Sequence, residues 1–157
     1  MIITILIFIA ALGSALNAGL FFIFSVCIMA ALGRLAPPEG IRAMQSINRV
    51  IINPLFMAAF MGTALLSAAL VVIAFMDWDQ PGRGYLLAGA LVFLMGNIFV
   101  TMVLNVPLNN AIDRADADSV EAHRLWARYL DVWTKWNHVR SVATLASTVL
   151  FILALIP

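Results

Sequence analysis

Apolar residues along this chain gather into four long runs, separated by two stretches in which apolar and polar positions alternate with helical spacing. The runs cover residues 2–32, 50–76, 85–106 and 139–156. Each is close to the roughly 20 residues that a helix needs to cross the apolar part of a bilayer. A backbone in lipid must satisfy its own hydrogen bonds, so all four are expected to be helices. The first run has no basic start and is far longer than the roughly 7–15 apolar residues of a cleaved leader, so it is expected to stay as a span.

The two mixed stretches read as amphipathic helices. In "APPEGIRAMQSINRVIINPLF", Pro38 can open a helix; Ile41, Met44, Ile47, Ile51 and Ile52 share one side, and Glu39, Arg42, Gln45 and Arg49 the other. In "DADSVEAHRLWARYLDVWTKWNH", Asp118 is expected as the cap, with Glu121 reaching back from the third position. Trp126, Tyr129, Leu130, Trp133 and Asn137 then repeat at three or four, opposite Arg124, Arg128, Asp131 and Lys135. Such rings commonly anchor a helix at a membrane surface. Alternatively, Trp133 and Trp136 wall a flat ligand.

Composition agrees with a membrane chain: of 157 residues, 64% are hydrophobic and 11% charged, against about 45–50% and 25% in soluble domains. The fold class expected is all-α, an integral membrane four-helix bundle forming a single domain over residues 1–157, with amphipathic helical segments at the cytoplasmic face. Eight of the nine basic residues lie in the connections after the first and third runs. The positive-inside rule then places those connections in the cytoplasm and both termini outside, in an inner or plasma membrane. A net charge of +1 gives no reason to expect nucleic acid, and the single Cys27 excludes an internal disulfide.

Polar residues inside apolar runs need partners or ligands. Asn97, Thr101, Asn105 and Asn109 recur every four residues, a ladder expected to face protein, and Pro107 is expected to kink its end so that Asn109 and Asn110 splay toward the cytoplasmic mouth. Ser14 and Asn17 lie in the first run, and Asn53 precedes Pro54 at the second. These amides can glue helices together, with Gly13, Gly19, Gly62, Gly89 and Gly96 permitting close approach. Asn53, Asn105 and Asn109 lie at the depth where "WNHVR" enters the fourth run, and suit binding a neutral polar group or an oxyanion.

The strings "GLFFIFSVCIMAALGRL", "AMQSINRVIINPLFM", "VTMVLNVPLNNAI" and "WARYLDVWTKWNHVRSVATLAS" resemble the anthrone oxygenase family of small membrane proteins over nearly the whole chain, "NVPLNN" and "WNHVR" most specifically. The resemblance implies a four-helix membrane domain that oxidises an anthrone to a quinone with dioxygen and no metal or flavin. Such chemistry needs a base, donors for an oxyanion and a dry place for a flat tricycle. His138 is the candidate base. Arg140, Asn137, Asn109 and Asn105 are the candidate oxyanion holders, Trp133, Trp136 and Phe56 supply ring surfaces, and Arg49, Asn53 and Asn17 are further substrate contacts.

His138 and Arg140 can equally contact lipid headgroups, His123 is expected to be solvated, and Arg49 can pair with Asp113. The two histidines, one cysteine and scattered methionines form no close ligand set, so no metal site is expected; a haem on His138 with a distant methionine is the alternative cofactor. The partners expected are a small aromatic or quinone-like lipophilic molecule, membrane lipids and a further copy of the chain. The alternative function is non-catalytic: a membrane protein that binds a quinone or lipid, or a subunit serving another polypeptide.

Overall fold

The computed structural model describes residues 1–156, and among these there are five helices and no strand. Helix α1 is Ile2–Leu32, α2 is Pro37–Ile51, α3 is Pro54–Met76, α4 is Arg83–Asp113, and α5 runs over residues 120–153. Four of them form a ring in which α1 packs on α5 and α3, and α4 packs on α5 and α3. Helix α2 lies across one end, against the end of α4 and the start of α5.

This is an all-α membrane bundle, and its surface shows why. Phe8, Leu12, Leu16, Leu65, Val72 and Val142 are exposed, while Ser14, Asn17, Ser67, Asn97, Asn137, Arg140, Thr144 and Ser147 are buried. Polar groups inside and apolar groups outside is the arrangement lipid imposes, since only other helices can satisfy a hydroxyl or amide there. The buried hydroxyls do so across helices: Ser14 Oγ donates to the Thr144 carbonyl at 2.9 Å, and Ser147 Oγ to that of Gly89 at 2.8 Å. Bonds of this kind contribute about 0.6 kcal/mol each in membrane bundles.

Three helices, α1, α3 and α4, are long and apolar enough to cross a membrane. The expected fourth span is instead the last part of α5, a helix that begins at residue 120, and its composition falls short because Asn137, Arg140, Thr144 and Ser147 all face inward. Helices α3 and α4 also differ in extent from the apolar runs they carry. α3 starts at Pro54, where Asn53 Oδ1 accepts from the Leu55 and Phe56 amides at 3.1 and 3.0 Å. α4 continues through Pro107 to Asp113.

The cap of α5 is Ser119, whose hydroxyl accepts from the Ala122 amide at 3.1 Å. Asp118 instead pairs with Arg42 of α2. The stacked face of α5 docks on α2 through Gly40, where an added Cβ would lie 2.8 Å from the Trp126 ring. At the opposite end Gly82 turns the chain with φ of 78° beneath the Ala154 carbonyl, a conformation that favours glycine. There Arg83, also buried, binds the Asp77 carboxylate at 2.8 Å.

Three helices depart from α-geometry at a similar level. Turns of π type occupy Phe24–Ile28 in α1, Leu94–Phe99 and Thr101–Asn105 in α4, and Tyr129–Trp133 in α5. In a straight α-helix each step of four residues drifts about 40° round the axis. The wider turns of α4 absorb that drift, so Asn97 and Asn105 are both fully buried although eight residues apart.

Candidate active site

The π turns surround Arg140. Its guanidinium carbon lies 4.4 Å from the ring centre of Phe21 in α1 and 5.0 Å from that of Trp133. Nη2 donates to Asn137 Oδ1 at 2.8 Å and Nη1 to Thr101 Oγ1 at 3.2 Å. Asn137 passes the polarity on, its Nδ2 donating to the Phe21 carbonyl at 2.8 Å and to Ser25 Oγ at 2.7 Å. Arg140 is 5% exposed, and among the described residues no carboxylate is paired with it. A cation at such depth costs about 2.5–3.5 kcal/mol even on insertion scales and is ordinarily matched by a partner. Here two aromatic faces and two neutral acceptors share that task.

Three buried polar atoms nearby lack a hydrogen-bond partner: Arg140 Nε, Asn105 Oδ1 and Asn97 Nδ2. Asn105 is otherwise held by its Nδ2, which donates to the Trp133 carbonyl at 3.1 Å. Donors and acceptors left open in a desolvated core mark a place where a polar ligand gains the most.

Toward α2 the site continues as a stack of rings. Trp126, Tyr129 and Trp133 follow one another with centroids 5.5 Å apart and planes 16° from parallel, and Phe24 meets Trp133 at 5.8 Å. The three stacked rings are buried against Met44, Ile41 and Ile112, so they are a core and not a surface anchor. Asn109 Oδ1 accepts from the Tyr129 hydroxyl at 2.8 Å and from Trp133 Nε1 at 2.7 Å. That occupies both lone pairs, and it orients the rings. Burial pushes the Tyr129 phenol up, against the pull of the Arg140 charge and of Asn48, so the hydroxyl is a neutral donor.

Arg140, Asn137, Asn105, Asn109 and Trp133 are therefore brought together. Others are not. His138 is exposed and makes no hydrogen bond, because it follows Asn137 by one residue and points about 100° further round the helix. Facing outward, it is poorly placed either as a base for a buried substrate or as a haem ligand in the core. Trp136 is half-buried, outside the stack. Asn53 is an exposed cap, and Arg49 is exposed and lies 3.4 Å from Asp113. Asn17 ties α1 to α3 through the Ala59 carbonyl at 3.2 Å. Beyond Pro107, Asn109 turns in toward the rings and Asn110 is exposed. His123 is half-buried, its Nε2 3.1 Å from the Ala117 carbonyl.

Phe21 and Ser25 join the site without having stood out in the sequence. Ser25 is the one with a legible signal, a hydroxyl within an otherwise apolar run.

A family model described as anthrone oxygenase matches residues 55–150, more than half of the chain. The chain belongs to the anthrone oxygenase family. The matched segment contains α3, α4 and α5 up to Leu150, and with them Arg140, Asn137, Asn105, Asn109 and the ring stack. Phe21 and Ser25, the α1 side of the site, lie before it. No curated protein and no solved structure matches the chain.

Proposed function

We propose that this chain is a membrane-embedded oxygenase that converts an anthrone-type aromatic substrate to a quinone with dioxygen, Arg140 holding the substrate oxygen as its anion. The observation that carries this reading is the buried guanidinium without a carboxylate, open at Nε and lined by aromatic rings. An anthrone carries a methylene made acidic by two rings and a carbonyl opposite. Loss of one proton gives an anion whose charge rests on the carbonyl oxygen, where a guanidinium stabilises it most. That anion yields one electron to dioxygen, the two radicals join as a carbon-bound peroxide, and O–O cleavage with loss of water leaves the second carbonyl. Atoms balance as anthrone plus dioxygen to quinone plus water.

The proton need not go to His138. Pairing the anion with a cation strengthens the C–H acid, so anion stabilisation carries much of the rate and the proton can leave to solvent at the edge of the site. The four-helix span count, the cytoplasmic position of the α2 end and both termini outside belong to the same reading, supported by the basic residues gathered on α2, on the first half of α5 and in the turns before them.

Oxygen uptake by the detergent-purified protein given a simple anthrone, with and without a strong chelator, tests the proposal. Chelator-resistant uptake that falls about 10²-fold in Arg140→Gln is the expected result. Uptake no faster than the spontaneous background, or unchanged in Arg140→Gln, overturns it.

A further inference from the structure

The ring stack of α5 leads away from the Arg140 site. Trp133 lies 5.0 Å from the guanidinium, and Tyr129 and then Trp126 follow at 5.5 Å per step, with planes 16° from parallel. All three rings are buried, so water does not enter between them. Near-parallel rings at this spacing are offset-stacked with their π faces in contact. An electron crosses such a stack more readily than it crosses aliphatic packing.

The two ends of the stack have different surroundings. Trp133 Nε1 and the Tyr129 hydroxyl both donate to Asn109 Oδ1, at 2.7 and 2.8 Å. An amide accepts a hydrogen bond but does not take up the proton at neutral pH, so neither ring can shed its proton there on losing an electron. An electron hole on either ring therefore stays positive, and the Arg140 cation repels it, most strongly at Trp133. Trp126 shares no bond with Asn109 and lies two ring steps further along, against Gly40 of α2. The hole is thus driven one way, from Trp133 to Trp126, with Tyr129 as the bridge.

We propose that the stack is a one-electron relay that carries an oxidising equivalent from the Arg140 site to Trp126. The oxidant is a peroxyl radical on the substrate carbon, formed when the substrate radical loses its superoxide partner and adds a second dioxygen. One electron from Trp133 and one proton from solvent convert it to the hydroperoxide, which returns it to the productive path. The hole on Trp133 is filled from Trp126, which loses its indole proton to water beside α2 and becomes a neutral radical. A water-soluble thiol or enediol then restores it by giving one hydrogen atom. The identity of the oxidant rests on the oxygenase reading, but transfer through the rings requires no turnover.

The test uses Cys27, the single cysteine, exposed and three residues beyond Phe24, whose ring meets Trp133 at 5.8 Å. A ruthenium photo-oxidant is attached there to the full-length protein in lipid nanodiscs and excited by a flash. Electron paramagnetic resonance follows the radical, and mass spectrometry maps the oxidised tryptophans. Oxidation is expected at Trp126 over Trp133 by about tenfold or more, the preference that the cation sets. Arg140→Gln is expected to abolish that preference. Trp133→Phe is expected to slow the arrival of the radical at Trp126 severalfold, and Trp136→Phe, outside the stack, to leave it unchanged.

Oxidation spread evenly over Trp126, Trp133 and Trp136 in the native protein overturns the proposal. So does a preference unmoved by Arg140→Gln, or a Trp126 radical that forms at the native rate in Trp133→Phe. Oxygen uptake separates the two readings: no uptake with an anthrone, but flash transfer as stated, removes the oxygenase and keeps the relay. Uptake as expected with no radical at Trp126 does the reverse.

Discussion

Asn137 accepts a hydrogen bond from Arg140 one turn along the same helix, Oδ1 to Nη2 at 2.8 Å, and it does so as a neutral group. A carboxylate in its place would cancel the cation. The choice of an amide leaves the guanidinium held but not neutralised, available to a third charge.

Replacing Asn137 by Asp tests that distinction between holding and neutralising. The variant is expected to lose oxygen uptake by about 10²-fold, because the buried cation acquires its counter-charge, and to melt only a little below the native temperature, the new ion pair offsetting a carboxylate oxygen that faces the Phe21 carbonyl where Nδ2 stood. Loss of folded protein with proportionate loss of activity contradicts the assignment. Thermal melts in detergent beside uptake rates decide it.

His138→Ala is expected to retain uptake within about twofold, since the imidazole is exposed and bonded to nothing. A general base contributes about 10²–10⁴-fold. A fall of that size in His138→Ala would restore the histidine to the mechanism.

Asn109 and Asn97 make a contrasting pair. Asn109→Leu strands the Tyr129 hydroxyl and Trp133 Nε1, each a buried donor costing about 1–3 kcal/mol when unpaired. Asn97→Leu removes an amide whose Nδ2 has no partner. The first is expected to lower the melting temperature clearly and the second little. Equal losses would mean the ring stack does not depend on Asn109.

Gly40→Ala places a Cβ 2.8 Å from the Trp126 ring and 3.0 Å from the Leu32 carbonyl. Overpacking of that sort costs about 1–3 kcal/mol. Faster proteolysis of the α2 connection is expected, with α3 and the rest of α4 still protected.

The inward face of α5 was legible from spacing alone, since Trp126, Tyr129, Trp133 and Asn137 repeat at three or four residues and are all buried. What the spacing did not reveal was the purpose of that face: rings of this kind read as surface anchors until α2 is seen covering them. His138 drew attention because histidine titrates near neutrality, a chemical argument that ignored where the residue points. Its near neighbour Arg140 reads both as an oxyanion holder and as a headgroup contact, since cations are common at membrane edges. The contribution of α1 was hidden because its apolar residues lie all round the helix and offer no periodicity to choose a face, so Phe21 could not be singled out and Ser25 was marked only by its hydroxyl. The helix that carries the fourth apolar run is longer than the run, since it begins at Val120, and its inward polar residues lower the average hydropathy.

The π turns carry a consequence of their own. Such a turn holds one residue more than an α turn, so it is stored length, and a helix can rotate about its axis by passing that surplus along while its ends stay put. In α1, α4 and α5 the surplus sits near Arg140, whereas the ends are pinned, Gly82 under Ala154 at one and Gly40 against Trp126 at the other. The mechanical slack of this bundle is thus concentrated at its waist, between two clamps.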